Sequence, residues 1–205
     1  MSFWFSFALI ALSAGTDTDY RLLFLGDSLT AGYGLKPREA HPALIEEAFL
    51  KAGLKIDVIN GGVSGDTTAG GLRRLEWMLR VKPRGVVIAL GANDMLRGIP
   101  VEKTKENLNR MIEVLKNKNV DVFLLGMKAL PNYGPDYEKN FNKIYSQIAH
   151  KHRVPLFPFY IERVAAQPSL NLQDGIHPNR DGQKMIAEDV FRFLLPELRQ
   201  ILEKK

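Results

Sequence analysis

The chain has 205 residues, 45% of them hydrophobic and 25% charged, with a formal net charge of +5 and no cysteine. That composition fits an ordinary globular protein with length enough for one domain around one buried core. It excludes thiol catalysis, disulfides and thiolate metal sites, and it leaves the redox compartment open.

In chain order, the first feature is an apolar stretch from Phe3 to Ala14. It is short for a membrane span and fits the apolar region of a secretory signal, with Ser13, Ala14 and Gly15 as small residues for cleavage. No basic segment precedes it. Residues 1–15 are therefore read as a signal peptide or N-terminal apolar segment, which places the protein in the periplasm or outside the cell. The alternatives are membrane association through this segment and a docked N-terminal helix. No other segment approaches a transmembrane length.

From residue 20 onward, strand-like and helix-like segments alternate, which predicts an α/β fold with a parallel sheet. Strands are expected at Arg21–Leu25, Lys55–Asn60, Gly85–Leu90, Val120–Gly126 and Val154–Phe157. Helices are expected at Arg38–Ala52, Thr67–Val81, Val101–Asn117, Tyr137–His152 and from about Asp181 to Glu203, with a bend at Pro196. Right-handed crossovers then give a three-layer α/β/α sandwich. The cations are scattered; Lys151-His152-Arg153 closes a helix, where positive charge suits the dipole. No nucleic-acid motif accompanies them, so nucleic acid is not an expected partner. Mild peripheral contact with an anionic membrane surface is compatible with the charge.

The strand ends carry the chemistry, since ligands of parallel α/β sheets bind beyond the carboxyl ends of the strands. Leu22–Leu25 reads as a buried strand that stops at Gly26, so Ser28 stands just past its end as a candidate nucleophile. Asp27 and Ser28 are also candidate helix caps. After the second strand, Gly61-Gly62-Val63-Ser64-Gly65 gives a backbone able to approach a ligand, with Asp66 or Thr67 capping the next helix. After the third, Asn93 either stabilises a turn or offers amide donors to an oxyanion, and Asp94 reads as a cap. Near the C-terminus, Asp174 and His177 sit three apart in one turn, where the carboxylate can fix the imidazole tautomer. His41, His150 and His152 lack such a partner and read as structural or surface residues. A single histidine with scattered carboxylates gives no metal-ligand spacing.

Taken in order, Gly26-Asp27-Ser28-Leu29, Gly65, Gly91-Ala92-Asn93-Asp94 and Asp174-Gly175-Ile176-His177 resemble the blocks of the GDSL or SGNH hydrolases. The likeness runs from about Arg21 to Phe193, and within the family it is nearest the bacterial thioesterase I / lysophospholipase L1 / arylesterase subgroup. The resemblance implies one SGNH hydrolase domain over residues 20–205, with a flavodoxin-like five-stranded sheet in the order 2-1-3-4-5. It also implies cofactor-free serine hydrolysis of a small-molecule acyl ester, thioester or lysophospholipid. Ser28, His177 and Asp174 would be nucleophile, base and orienting acid. The N–H groups of Ser28 and Gly65 and the Asn93 amide would form the oxyanion hole. One departure from the family lies in Lys128–Gly134, where the apolar residue and proline are displaced by one position.

Two loops on the same side, 95–100 and 130–135, mix apolar residues with Gly and Pro. Leu96, Ile99, Leu130 and Tyr133 are therefore candidates for an acyl groove; packing on the helices beneath is the alternative. Two rival functions are compatible with the sequence. One is a carbohydrate O-acetylesterase of the same superfamily, against which counts the lack of an aromatic sugar platform. The other is a non-catalytic anion-binding module, which gives no reason for the Asp174/His177 pair.

Overall fold

Strand β1 (Tyr20–Gly26) is an inner strand of a parallel sheet in the computed structural model, which describes residues 20–129 and 131–204. Its Leu22-Leu23-Phe24-Leu25 run is fully buried. Helices cover both faces of such a strand, so its sequence is continuously apolar rather than alternating. The same holds for Val86-Val87-Ile88 of β3 (Gly85–Ala89). Strand β2 (Ile56–Gly62) lies at one edge and exposes Asp57 and Asn60. With β4 (Asp121–Leu125) and β5 (Leu156–Phe157) the order is β2-β1-β3-β4-β5, as the family resemblance implies. Strand β5 is two residues shorter than expected, because Pro155 and Pro158 flank it and neither has an N–H for the ladder.

Helices α2 (His41–Lys51) and α7 (Arg180–Glu203) pack together on one face. On the other, α5 (Val101–Asn117) packs between α3 (Thr68–Met78) and α6 (Pro135–His152). The reason is legible in α5, whose buried Val101, Thr104, Leu108, Met111, Ile112 and Leu115 recur every three or four residues.

Helix starts follow proline and cap chemistry. The segment from Arg38 is not one helix: Pro37–Glu39 forms a single 3-10 turn, Ala40 is extended, and α2 restarts at His41. Pro42 has no N–H to continue a helix from before it, and fits only a first turn. Pro135 likewise opens α6 two residues early. Helix α7 starts one residue early, where the Asn179 side chain accepts from the N–H groups of Asp181 and Gly182 at 3.0 Å each, and it continues through Pro196 to Glu203. Helix α3 stops at Met78 and a 3-10 turn covers Leu79–Val81. Two one-turn helices, α1 (Ser28–Ala31) and α4 (Ala92–Leu96), are too short to show a period in sequence. Among the described residues no helix is long and apolar enough to cross a membrane. The apolar segment of residues 1–15 lies outside the described residues.

Candidate active site

The sheet register brings three chain reversals level. Gly26 pairs with Gly62 of β2 and with Ala89 of β3, so the loops after β1, β2 and β3 leave the sheet side by side. Gly62 permits the closest approach, since a Cβ there would run into the backbone of Ala31 in α1. Asp27 caps α1, its Oδ1 accepting the Leu29 N–H at 3.0 Å, and Ser28 is the first residue of that helix. The cap and the candidate nucleophile are thus adjacent residues, and capping does not occupy the Ser28 hydroxyl.

The loop before α7 delivers the partners of Ser28. His177 Nε2 lies 3.0 Å from Ser28 Oγ, and His177 Nδ1 lies 2.7 Å from Asp174 Oδ2. Asp174 Oδ1 accepts the backbone N–H groups of Ile176 and His177, each at 2.9 Å, so one carboxylate both closes the turn and holds the ring. These two N–H bonds, that of His177 foremost, and the ring bond hold the Asp174 pKa down at about 2. An ionised Asp174 requires the proton on Nδ1 and leaves Nε2 as acceptor towards Ser28. Tyr33 covers this line, its ring 4.3 Å from that of His177 between centroids.

Three residues expected to supply oxyanion donors, Ser28, Gly65 and Asn93, line one cavity. The Ser28 N–H opens α1, and the Gly65 N–H sits in a loop whose φ of 77° needs glycine. Among the described residues neither N–H makes a protein hydrogen bond. Asn93, on α4, donates through Nδ2 to the Asp66 carbonyl at 3.0 Å and to Asp27 Oδ2 at 3.3 Å. Burial lifts the Asp27 carboxyl to about 7, with the Leu29 N–H opposing and Asp66 adding to the rise. A carboxyl kept near neutrality opposes a developing oxyanion less than a full carboxylate would.

The neighbouring polar residues divide cleanly. Asp94 is fully buried and accepts from Thr68 N at 2.8 Å and from the hydroxyls of Thr68 and Thr104, pinning α4 to α3 and α5. Thr67, rather than Asp66, caps α3, its hydroxyl accepting the Gly70 N–H. His41 is structural: Gln183 Oε1 accepts its backbone N–H at 2.8 Å and meets its Nδ1 at 2.9 Å. His152 pairs with Asn109 at 2.6 Å and His150 is exposed. No three His, Asp or Glu side chains among the described residues form a metal-ligating group.

A cavity of about 490 Å³ opens beside Ser28, Gly65, Asn93 and His177. Its apolar wall comes from Met95, Leu96 and Met127, and from Phe159, Ile161 and Val164 in the segment after β5. Of the four residues expected in an acyl groove, Leu96 lines it. Ile99 and Tyr133 do not. The Ile99 N–H closes a turn on the Asp94 carbonyl, and its own carbonyl accepts from Tyr137. Tyr133 donates to the Leu96 carbonyl and packs on Tyr137, so it braces the loop from outside the cavity. Leu130 lies outside the described residues. At the start of the segment that departs from the family pattern, Lys128 lines the cavity and Ala129 N donates to Asn142 Oδ1 at 2.8 Å. Sequence reasoning missed the 159–166 wall, although its place after a strand end was a usable signal. Asp27 and Tyr33 carried no such signal, because their roles depend on Asn93 and His177, far away in sequence.

Known proteins resemble this chain in sequence and in fold. The model of the GDSL-like Lipase/Acylhydrolase family matches residues 24–185. An arylesterase of Vibrio mimicus is 41% identical over 188 residues, 91% of this chain and 94% of that protein. The thioesterase 1/protease 1/lysophospholipase L1 of Escherichia coli (strain K12) is 39% identical over 197 residues, covering 96% and 92%. The crystal structure of the psychrotrophic esterase EstA from Pseudoalteromonas sp. superposes with a TM-score of 0.84 at 35% identity, over 88% of this chain and 100% of that one. With its blocks in family order on a family sheet, the chain belongs to the GDSL-like lipase/acylhydrolase, or SGNH hydrolase, family.

Proposed function

We propose that the chain is a carboxylic ester hydrolase that cleaves acyl esters and thioesters through an acyl-enzyme on Ser28. The observation that carries this reading is the hydrogen-bonded line Ser28–His177–Asp174 at the mouth of an apolar cavity. His177 Nε2 takes the Ser28 hydroxyl proton as Oγ attacks the carbonyl carbon, and Asp174 stabilises the imidazolium. The oxyanion receives the N–H groups of Ser28 and Gly65 and one Nδ2 proton of Asn93. The 3.3 Å bond to Asp27 is the weaker of Asn93's two bonds and the one given up. His177 then protonates the leaving oxygen or sulfur. Water attacks the acyl-enzyme with the same base and releases the acid.

The arylesterase and thioesterase/lysophospholipase activities of the relatives support the substrate class. The cavity supports acyl chains longer than acetyl, since each methylene entering it contributes up to about 0.8 kcal/mol, or about fourfold in kcat/KM. A carbohydrate acetyl ester would leave that apolar wall unused. The deciding experiment is a chain-length series of p-nitrophenyl esters beside an acetylated sugar, run on wild type and Ser28→Ala. We expect kcat/KM to rise from acetyl to medium chains, and a fluorophosphonate to label wild type alone. Acetyl preference with refusal of longer chains selects the O-acetylesterase; a labelled Ser28→Ala moves the nucleophile elsewhere. We further propose that residues 20–205 are the hydrolase domain and residues 1–15 direct export. Mass spectrometry of protein from its native host tests this, and an intact Met1 on soluble protein overturns it.

A further inference from the structure

The three oxyanion donors proposed above sit on three separate segments: Ser28 after β1, Gly65 between β2 and α3, and Asn93 on α4. Hydrogen-bond donors stabilise a transition state only when their spacing is fixed before the reaction. Arg74, in the second turn of α3, is bonded to the first two segments at once. Its Nη2 donates to the carbonyl of Gly26 at 2.9 Å, two residues before Ser28. Its Nε donates to Asp66 Oδ2 at 2.7 Å, one residue after Gly65. The third segment joins through Asp66, whose carbonyl accepts from Asn93 Nδ2 at 3.0 Å.

This pair differs from the molecule's surface ion pairs. The side chains of Arg74 and Asp66 are only 18% and 10% exposed. Arg74 Nη1 is buried and has no hydrogen-bond partner among the described residues. Leaving a guanidinium N–H unmatched out of water is unfavourable, so the side chain is held there by its other two bonds. The adjacent Arg73 is exposed. Arg97 Nη2 donates to the Gly65 carbonyl at 2.7 Å in an exposed contact, so a second arginine also holds the turn bearing Gly65. The reaction proposed above leaves the side chains of Arg74, Asp66 and Arg97 without a role.

We infer that Arg74, acting through Asp66, is the positioning residue of the oxyanion hole, its planar fork setting the distance between the segments that carry Ser28, Gly65 and Asn93. The inference rests on the esterase reading. A fork with diverging donors meets two acceptors on different segments; the point charge of lysine, on a flexible stem, does not hold both in register. Misplaced donors weaken the transition state and leave ground-state binding unchanged, so the effect belongs in kcat and not in KM.

The test uses the full chain as wild type, Arg74→Lys and Arg74→Gln. Three quantities are read: kcat per serine titrated with a fluorophosphonate, KM for p-nitrophenyl butyrate, and the Asn93 side-chain amide resonances. We expect kcat per titrated serine to fall roughly 10–100-fold in both variants, with KM within twofold and the Asn93 resonances shifted. Should Arg74→Gln fail to fold, Arg74→Lys alone decides. A variant with lowered thermal stability but kcat per serine within twofold of wild type overturns the inference, as does a rise in KM at constant kcat. Failure of the esterase reading is separate: it shows as no turnover by wild type, and the Asn93 resonances then decide whether Arg74 sets the amide's position.

Discussion

Asn93→Ala would remove one amide and thereby do two measurable things. In the proposed reaction it deletes a side-chain oxyanion donor, worth about 2.7–4 kcal/mol, so kcat should fall roughly 10²–10³-fold while KM moves little. The second effect is on stability and depends on pH. The Asp66 carbonyl loses its 3.0 Å bond, which costs about 1 kcal/mol at any pH. Asp27, 1% exposed, loses the Asn93 donor and keeps the Leu29 N–H. A bond to an ionised group is worth about 1.5–3 kcal/mol, more than a bond to a neutral one, so most of this second loss is felt only when Asp27 is charged. Burial raises Asp27 from 3.8 to about 7. A raised carboxyl contributes stability that is complete below its unfolded value and is lost as pH rises through its folded one. Removing a donor raises the folded value further and deepens that loss. The Tm deficit of Asn93→Ala should therefore be about 2–4 °C near pH 5.5 and roughly 5–15 °C near pH 8.5. Calorimetric melts at the two pH values, with kcat per titrated serine, check both effects. A kcat within threefold of wild type removes Asn93 from the oxyanion hole. A Tm deficit independent of pH means that Asp27 is not the acid titrating beside it.

Asp174→Asn keeps one acceptor oxygen for the Ile176 and His177 N–H groups but turns an NH₂ towards His177 Nδ1, which favours the wrong tautomer. With the turn retained, kcat should drop by about 10³–10⁴ with little change in Tm; activity above a tenth of wild type, read in the p-nitrophenyl butyrate assay, refutes the role. Ala165→Phe places a ring in the cavity wall and should lower kcat/KM by about fourfold for each methylene it excludes, sparing acetyl ester; a uniform loss across the ester series would move the acyl chain elsewhere. Two buried groups change stability with pH in opposite senses. Burial depresses His41 from 6.5 to about 4, so its contribution is present above pH 6.5 and lost as pH falls through 4, about 3 kcal/mol in all. Asp27 gains stability over much of the same interval, so Asp27→Asn should uncover a fall in Tm between about pH 7 and pH 4.5 that wild type largely conceals; parallel Tm–pH curves for the two proteins contradict this.

Much of the fold was legible from residue order alone. Leu22–Leu25 and Val86–Ile88 read as buried strands because parallel strands are apolar on both faces, and α5 was bounded at both ends by its period. The candidate triad and Asn93 were legible because short-range chemistry marks them: a serine past a strand end, and a carboxylate and histidine in one turn. The acyl wall was not. Ile99 and Tyr133 have the composition of a groove, yet Tyr137 draws both to the outside of their loops, while Phe159, Ile161 and Val164 turn inward. Side-chain direction in an irregular loop depends on partners dozens of residues away, and no local period records it. Asp27 and Arg74 show the same limit more sharply. In sequence one is a helix cap and the other one of many basic residues on a helix. Only the register that sets Gly26 beside Gly62 and Ala89 buries the first against Asn93 and lets the second span two loops. Burial and long-range hydrogen bonding belong to the assembled sheet, and they alone convert a cap into an acid near neutrality and a helix arginine into a brace.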